Sequence, residues 1–191
     1  FLKTKEKACK TMNERKTFID TPSQTAGPFL HIGCTPRIIG IDIFRNVLGQ
    51  TPFEEITDDE AINIKGKIFD GNNEPIIDAM IETWQCDANG DYSSNQGFAR
   101  RVTDFKTGEY QLKTIRPGNK INKDGSLSPS YITFWIVARG MNRPLITRMY
   151  FVENDLKNDT MLKTLNIEDR LNTLIPYSED NKNFVFNIYL Q

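Results

Sequence analysis

The run IKGKIFDGNNEPIIDAMIETWQ, residues 64–85, decides the fold. Two short apolar stretches, IKGKIFD (64–70) and IIDAMIETWQ (76–85), are divided by the turn chemistry of GNNEP, and DANGD closes the second. Apolar stretches punctuated in this way mark antiparallel strands. The pattern continues downstream. VTDF (102–105) and EYQLKTI (109–115) flank Lys106-Thr107-Gly108, a hairpin-length loop whose glycine is available for positive φ. Arg116-Pro117-Gly118 stops the second of these strands. YITFWIVAR (131–139), LITRMYFVE (145–153) and FVFNIYL (184–190) complete seven strand-like runs, which predict a mostly β chain folded as an antiparallel β-sandwich. Trp84 and Trp135 fall on strands and are expected in the core, with Glu82 buried beside an arginine.

Helical signal is thin. IDIFRNVL (41–48) carries Ile43, Phe44 and Val47 at i, i+1 and i+4, and NIEDRLNTLI (166–175) starts at a potential Asn166 cap. Strands that follow one another without helices between them exclude an α/β architecture. The expected organisation is a mobile tail over residues 1–20 and one domain over 21–191, which includes an N-terminal arm over 21–50. Within that arm TPSQTAGPF (21–29) has two prolines, a glycine and small hydroxyl residues, so it reads as an ordered arm or loop that makes contacts.

Composition removes several function classes. Lys and Arg number 24 against 25 Asp and Glu, a formal charge of -1, so no global field draws the chain to nucleic acid or membrane. The basic stretch from Lys3 to Lys16 reads as a mobile tail or as sequence preceding a start at Met12, with a basic nucleic-acid arm as the rival. Cys9, Cys34 and Cys86 form no CxxC pair and read as reduced thiols of a cytoplasmic protein. No run approaches the roughly 18 apolar residues of a membrane span. His31 is the one histidine, which excludes multi-histidine zinc sites and the two-histidine, one-carboxylate iron site; the residue reads as structural. No phosphate-binding glycine loop and no GxSxG elbow is present.

Several segments, taken in order, carry a resemblance. TPSQTAGPFLHIG (21–33), GKIFDGNNEPIIDAMIETWQCDANGDY (66–92), TGEYQLKTIRPG (107–118), ARG (138–140) and TRMYF (147–151) resemble the intradiol ring-cleavage dioxygenases. Within that family the likeness is to the alpha chains of enzymes built from homologous alpha and beta chains, which act on protocatechuate. The resemblance implies a β-sandwich of the intradiol dioxygenase, transthyretin-related type, with short helices. It also implies Fe(III), a hard Lewis acid suited to phenolate oxygen, held in catalytic chains by two tyrosines and two histidines.

Carried over residue by residue, that ligand set is mostly missing. Tyr92 falls at the first tyrosine, but Asn119-Lys120-Ile121 follows Pro117-Gly118 where the second should stand. The two histidines of PxHxHF alternate along one strand and so share a face. In the same frame this chain has Tyr131 and Thr133. Tyr92, Tyr131 and Thr133 are therefore vestigial metal-site positions; no metal is expected in this chain, and Fe(III) is expected on a partner beta chain. The resemblance further implies that Thr25, Gly27, Pro28 and Arg139 line the partner's pocket, with Arg139 suited to a carboxylate. The implied activity is cleavage of 3,4-dihydroxybenzoate with O2 in a higher αβ oligomer. The rival is a non-enzymatic β-sandwich binding module that has lost the metal site. The chain stops at NIYLQ, a few residues short of the pattern, so its C-terminus is expected to be incomplete, and the 91–101 loop is short.

Overall fold

A computed structural model of the chain describes residues 22, 24–27, 29–45, 47–92, 95–151, 156, 159–164 and 168–190. The expected tail, Pro28 and the Asn166 cap lie outside the described residues. The arm carries helix α1 (Leu30–Cys34) and a 3₁₀ turn at Pro36–Ile39. Strands β1 (Ala61–Phe69), β2 (Met80–Trp84), β3 (Phe98–Val102), β4 (Glu109–Ile115), β5 (Lys120–Ile121), β6 (Leu127–Ser128), β7 (Tyr131–Val137) and β8 (Leu145–Tyr150) follow. Helix α2 (Thr160–Thr164), a 3₁₀ segment Glu168–Leu174, and β9 (Tyr177–Ser178), β10 (Asn183–Val185) and β11 (Ile188–Tyr189) end the described chain.

Two sheets face each other. One is antiparallel in the order β3-β2-β7-β8; the other is built around β1, which pairs antiparallel with β4 and parallel with β10 and β11. The third, β5-β6, is a small hairpin. Ile62, Ile64, Ile68, Tyr110, Leu112, Phe184 and Phe186 of the layer around β1 meet Ile81, Ala99, Ile132, Phe134, Ile136 and Met149 of the antiparallel layer. Full burial of such aliphatic and aromatic side chains contributes about 1.5–3 kcal/mol each, which makes this layer the main source of stability. A second cluster packs Leu156, Leu162, Leu171 and Leu174 against Tyr131 and Tyr150. Leu156, Leu162, Leu171 and Leu174 thus cover one end of the outer face of the antiparallel sheet.

The structure has the expected mostly β sandwich, but it moves several boundaries. EYQLKTI coincides with β4, whereas VTDF contributes only Val102 to a strand. Asp104 Oδ1 accepts the Lys106 and Thr107 N–H groups at 2.9 and 2.7 Å, so TDF belongs to the turn, and the strand lies upstream in FARRV. FVFNIYL divides into β10 and β11 because the Asn187 side-chain oxygen, rather than a carbonyl, receives the Lys67 N–H at 3.0 Å. The helix expected over 41–48 is absent from its described residues: Gly40 is left-handed, and Ile43 and Phe44 find no apolar cover among the described residues. NIEDRLNTLI is helical over Glu168–Leu174, but as a 3₁₀ segment.

The tryptophans are also displaced from expectation. β2 and β7 turn Ile81, Thr83, Ile132, Phe134 and Ile136 inward, so Trp84 and Trp135 point to the outer face, and Trp84 is 42% exposed. Glu82 shares that face and is partly buried against Arg100, whose Nη2 lies 2.6 Å from its carboxylate. Among the described residues no helix is long and apolar enough to cross a membrane.

Candidate functional site

The ETWQCDANGDY stretch builds a fixed corner. Gln85, 1% exposed, donates through Nε2 to the Ile115 carbonyl at 2.9 Å and accepts from the Thr114 hydroxyl at 2.8 Å, clipping β2 to β4 across the sandwich. Asp87 Oδ1 accepts the Asn89 and Asp91 N–H groups, each at 2.9 Å, which curls DANGD into a turn. Gly90 has φ 84°, and a Cβ there would stand 2.2 Å from the Asn119 carbonyl oxygen. A Cβ on Gly118 would likewise stand 2.3 Å from the Ala88 oxygen. Only glycine allows these backbones to approach so closely. The Gly118 N–H donates to the Asp87 carbonyl at 2.8 Å, and the Ser130 hydroxyl donates to the Pro117 carbonyl at 2.5 Å. The loop that ends in Tyr92, the PG turn and the start of β7 are therefore held together.

Tyr92 and Tyr131 meet at this corner. The Tyr92 side chain neighbours Tyr131 and Cys86, the Cys86 thiol donates to the Gly118 carbonyl at 3.4 Å, and the Lys120 Nζ stands 5.0 Å from the centroid of the Tyr92 ring. Burial, and then the neighbouring Tyr131, push the Tyr92 phenol far above its ordinary range; burial raises the Cys86 thiol as well. Thr133 lies one alternation further along β7 on the same face, opposite Trp84 of β2 and Arg148 of β8.

Arg148 was not among the residues singled out from the sequence. Its Cζ lies 4.1 Å from the centroid of the Tyr131 ring, and its Nη1 donates to the Tyr150 hydroxyl at 3.2 Å and to Asp159 Oδ2 at 3.0 Å. The signal for it is strand register, which places Tyr131 opposite Tyr150 and Thr133 opposite Arg148. That pairing cannot be read before the two strands are known to be neighbours.

The donors at this corner do not fit a ferric ion. They offer the phenols of Tyr92 and Tyr131 and the weak hydroxyl of Thr133, with no imidazole and with an arginine cation directly in front of Tyr131. Among the described residues no group of three or more His, Cys, Asp and Glu side chains could hold a metal. His31, 6% exposed, packs its ring on Phe105 at a centroid distance of 5.4 Å.

The second set of expected residues assembles elsewhere. Ala26 bridges in parallel with Arg139, and the Gly140 N–H donates to the Thr25 hydroxyl at 3.0 Å. The arm thus adds to the outgoing end of β7. Arg139 contacts the Asp78 carboxylate through Nε; its side chain remains 57% exposed, against 9% for Asp78. Asp78 is a second residue the sequence did not single out. A Cβ on Gly27 would meet nothing within 4 Å, so no contact among the described residues requires glycine at that position. Eight residues separate Tyr131 from Arg139, which at roughly 3.3 Å per residue is about 26 Å of extended chain. The arm and the Tyr92–Tyr131 corner lie at opposite ends of β7.

Similarity to known proteins follows the same geometry. The sequence model of a family described as "Dioxygenase" matches residues 48–191. The protocatechuate 3,4-dioxygenase alpha chain of Pseudomonas putida is 35% identical over 139 residues, 69% of this chain and 69% of that one. The protocatechuate 3,4-dioxygenase beta chain of Burkholderia cepacia is 28% identical over 106 residues, 48% of this chain and 45% of that one. Among solved structures, an intradiol ring-cleavage dioxygenase from Tetranychus urticae matches with a TM-score of 0.58 at 17% identity, over 91% of this chain and 95% of that one. At that identity the match bears on the fold alone, and it agrees with the sandwich.

Proposed function

This chain belongs to the intradiol dioxygenase family, and we propose that it is the alpha-type subunit of a protocatechuate 3,4-dioxygenase. A homologous beta chain carries Fe(III), and the isolated alpha chain is inactive. The observation that carries this reading is the separation along β7. The residues suited to a substrate, Thr25 and Arg139, are gathered about 26 Å of strand away from this chain's own vestigial corner. Substrate-facing groups placed there serve a pocket completed by another chain.

A ferric ion held by the partner chain would supply Lewis-acid chemistry to the bound 3,4-dihydroxybenzoate. Both atoms of O2 enter the product, and the ring opens between the hydroxyl-bearing carbons to give 3-carboxy-cis,cis-muconate. This chain's residues act on the rest of the substrate. Arg139, fixed through Nε by Asp78, presents its terminal nitrogens to the carboxylate, which attracts a guanidinium by charge and by paired hydrogen bonds. Thr25 and Gly27 form a wall over the pocket mouth; the open space beside Gly27 leaves room for the partner's surface. Wall and partner together exclude water. The complex is a higher αβ oligomer in the cytoplasm.

The free binding-module alternative finds no support in the relatives, one of which is an alpha chain alike over two thirds of its length. The test is co-expression with a beta-type chain that carries PxHxHF. The expected result is oxygen uptake with protocatechuate by the co-purified pair and none by either chain alone. Failure of the two chains to associate would refute the subunit assignment.

A further inference from the structure

Two charged residues sit on the vestigial corner, both with little solvent around them. Arg148 has a side-chain exposure of 22% and Asp159 of 2%, and they are 3.0 Å apart. Every oxygen of Asp159 is engaged: Oδ2 takes the guanidinium, while Oδ1 accepts the N–H groups of Met161 and Leu162 at 2.8 and 3.1 Å. One carboxylate therefore joins β8 to the first turn of α2. The guanidinium in turn lies over the Tyr131 ring, where the negative face of the aromatic system attracts a cation. Its bond to the Tyr150 hydroxyl completes the set. Tyr150 is fully buried and packs with Leu156 and Leu162 under the same covering region.

We propose that the Arg148 guanidinium is the resident cation of this face. It fills with fixed positive charge the ground in front of Tyr131 and Thr133 and anchors the 159–164 segment over it, so that the corner is closed to metal ions. The loss of metal-binding side chains is one part of the change; the arginine is the other. A metal cation placed beside side chains at 131 and 133 would meet the guanidinium at short range in a partly buried setting, where like charges repel strongly. Restoring donors alone should therefore not restore metal binding. All the groups concerned lie in this chain, so the inference stands apart from the subunit assignment.

Two measurements on the full chain test it. The first titrates cobalt(II) into a Tyr131→His/Thr133→His variant and into the same variant with Arg148→Gln, following the visible absorption of the bound ion. The variant that keeps Arg148 should bind at least tenfold more weakly than the one that lacks it. Equal affinity, or no binding by either, would overturn the claim that Arg148 keeps metal out. The second compares amide hydrogen exchange in Arg148→Gln and Arg148→Lys, without other changes. Exchange at Met161 and Leu162 should rise tenfold or more in Arg148→Gln and by less in Arg148→Lys, which keeps the positive charge. Unchanged protection in Arg148→Gln would overturn the anchoring role.

Discussion

The backbone of Ala26 pairs with that of Arg139, so a segment near the start of the chain and the last extended residue after β7 form one surface. Arg139 is held there by Asp78, a carboxylate almost out of solvent, which orients the guanidinium while leaving more than half of the side chain exposed.

That arrangement predicts a selective effect. In the αβ complex Arg139→Ala should lower kcat/KM for protocatechuate by about 10–100-fold, the range expected when one charge-assisted contact of about 1.5–3 kcal/mol is lost. Activity toward catechol, which has no carboxylate, should change far less, and the iron content should stay the same. Equal loss on both substrates would assign Arg139 to the structural pair with Asp78.

A second prediction concerns the corner that places Tyr92. Gly90→Ala forces a Cβ to within 2.2 Å of the Asn119 oxygen at a left-handed φ. The cost should be about 1–3 kcal/mol, which at roughly 2–4 °C per kcal/mol for a chain of this size is visible in thermal unfolding. A melting temperature within error of the parent would show that the 87–91 and 117–119 loops are not held against each other.

The buried tyrosines predict an alkaline signature. Burial pushes the Tyr150 hydroxyl up to about 12 from its ordinary 10.0, although Arg148 beside it favours the ionised form. A folded-state value above the unfolded one means that the neutral phenol is favoured by folding. Its stabilising contribution is complete below pH 10 and is lost as pH rises through about 12. Tyrosinate absorbance compared between the parent and Tyr150→Phe should show one group fewer ionising near the upper value. If the difference falls near pH 10 in the folded chain, Tyr150 is not enclosed as described.

Legibility in the sequence followed the range of the interactions. EYQLKTI was readable as β4 because its alternation and its flanking turns are local. TDF was misplaced because Asp104 captures two backbone N–H groups, a competition that propensity does not register. The tryptophans were expected inside because they fall on strands, yet strand alternation gives the inner positions to isoleucine, threonine and phenylalanine. Positions 92 and 131 could be singled out by motif, and the structure makes their side chains neighbours. Arg148, Asp159 and Asp78 were not found, because each acquires its meaning from a partner on another element. Glu82 beside an arginine was the exception; Arg100 reaches it across paired strands.

In the proposed assembly this chain shapes a pocket whose iron belongs to another chain. Metal analysis of the isolated chain and of the co-purified αβ complex, both grown with iron and without chelator, tests it most directly. No stoichiometric iron is expected in the isolated chain, and one ferric ion per αβ pair in a red-brown complex. Tight, stoichiometric iron in the isolated chain would contradict it.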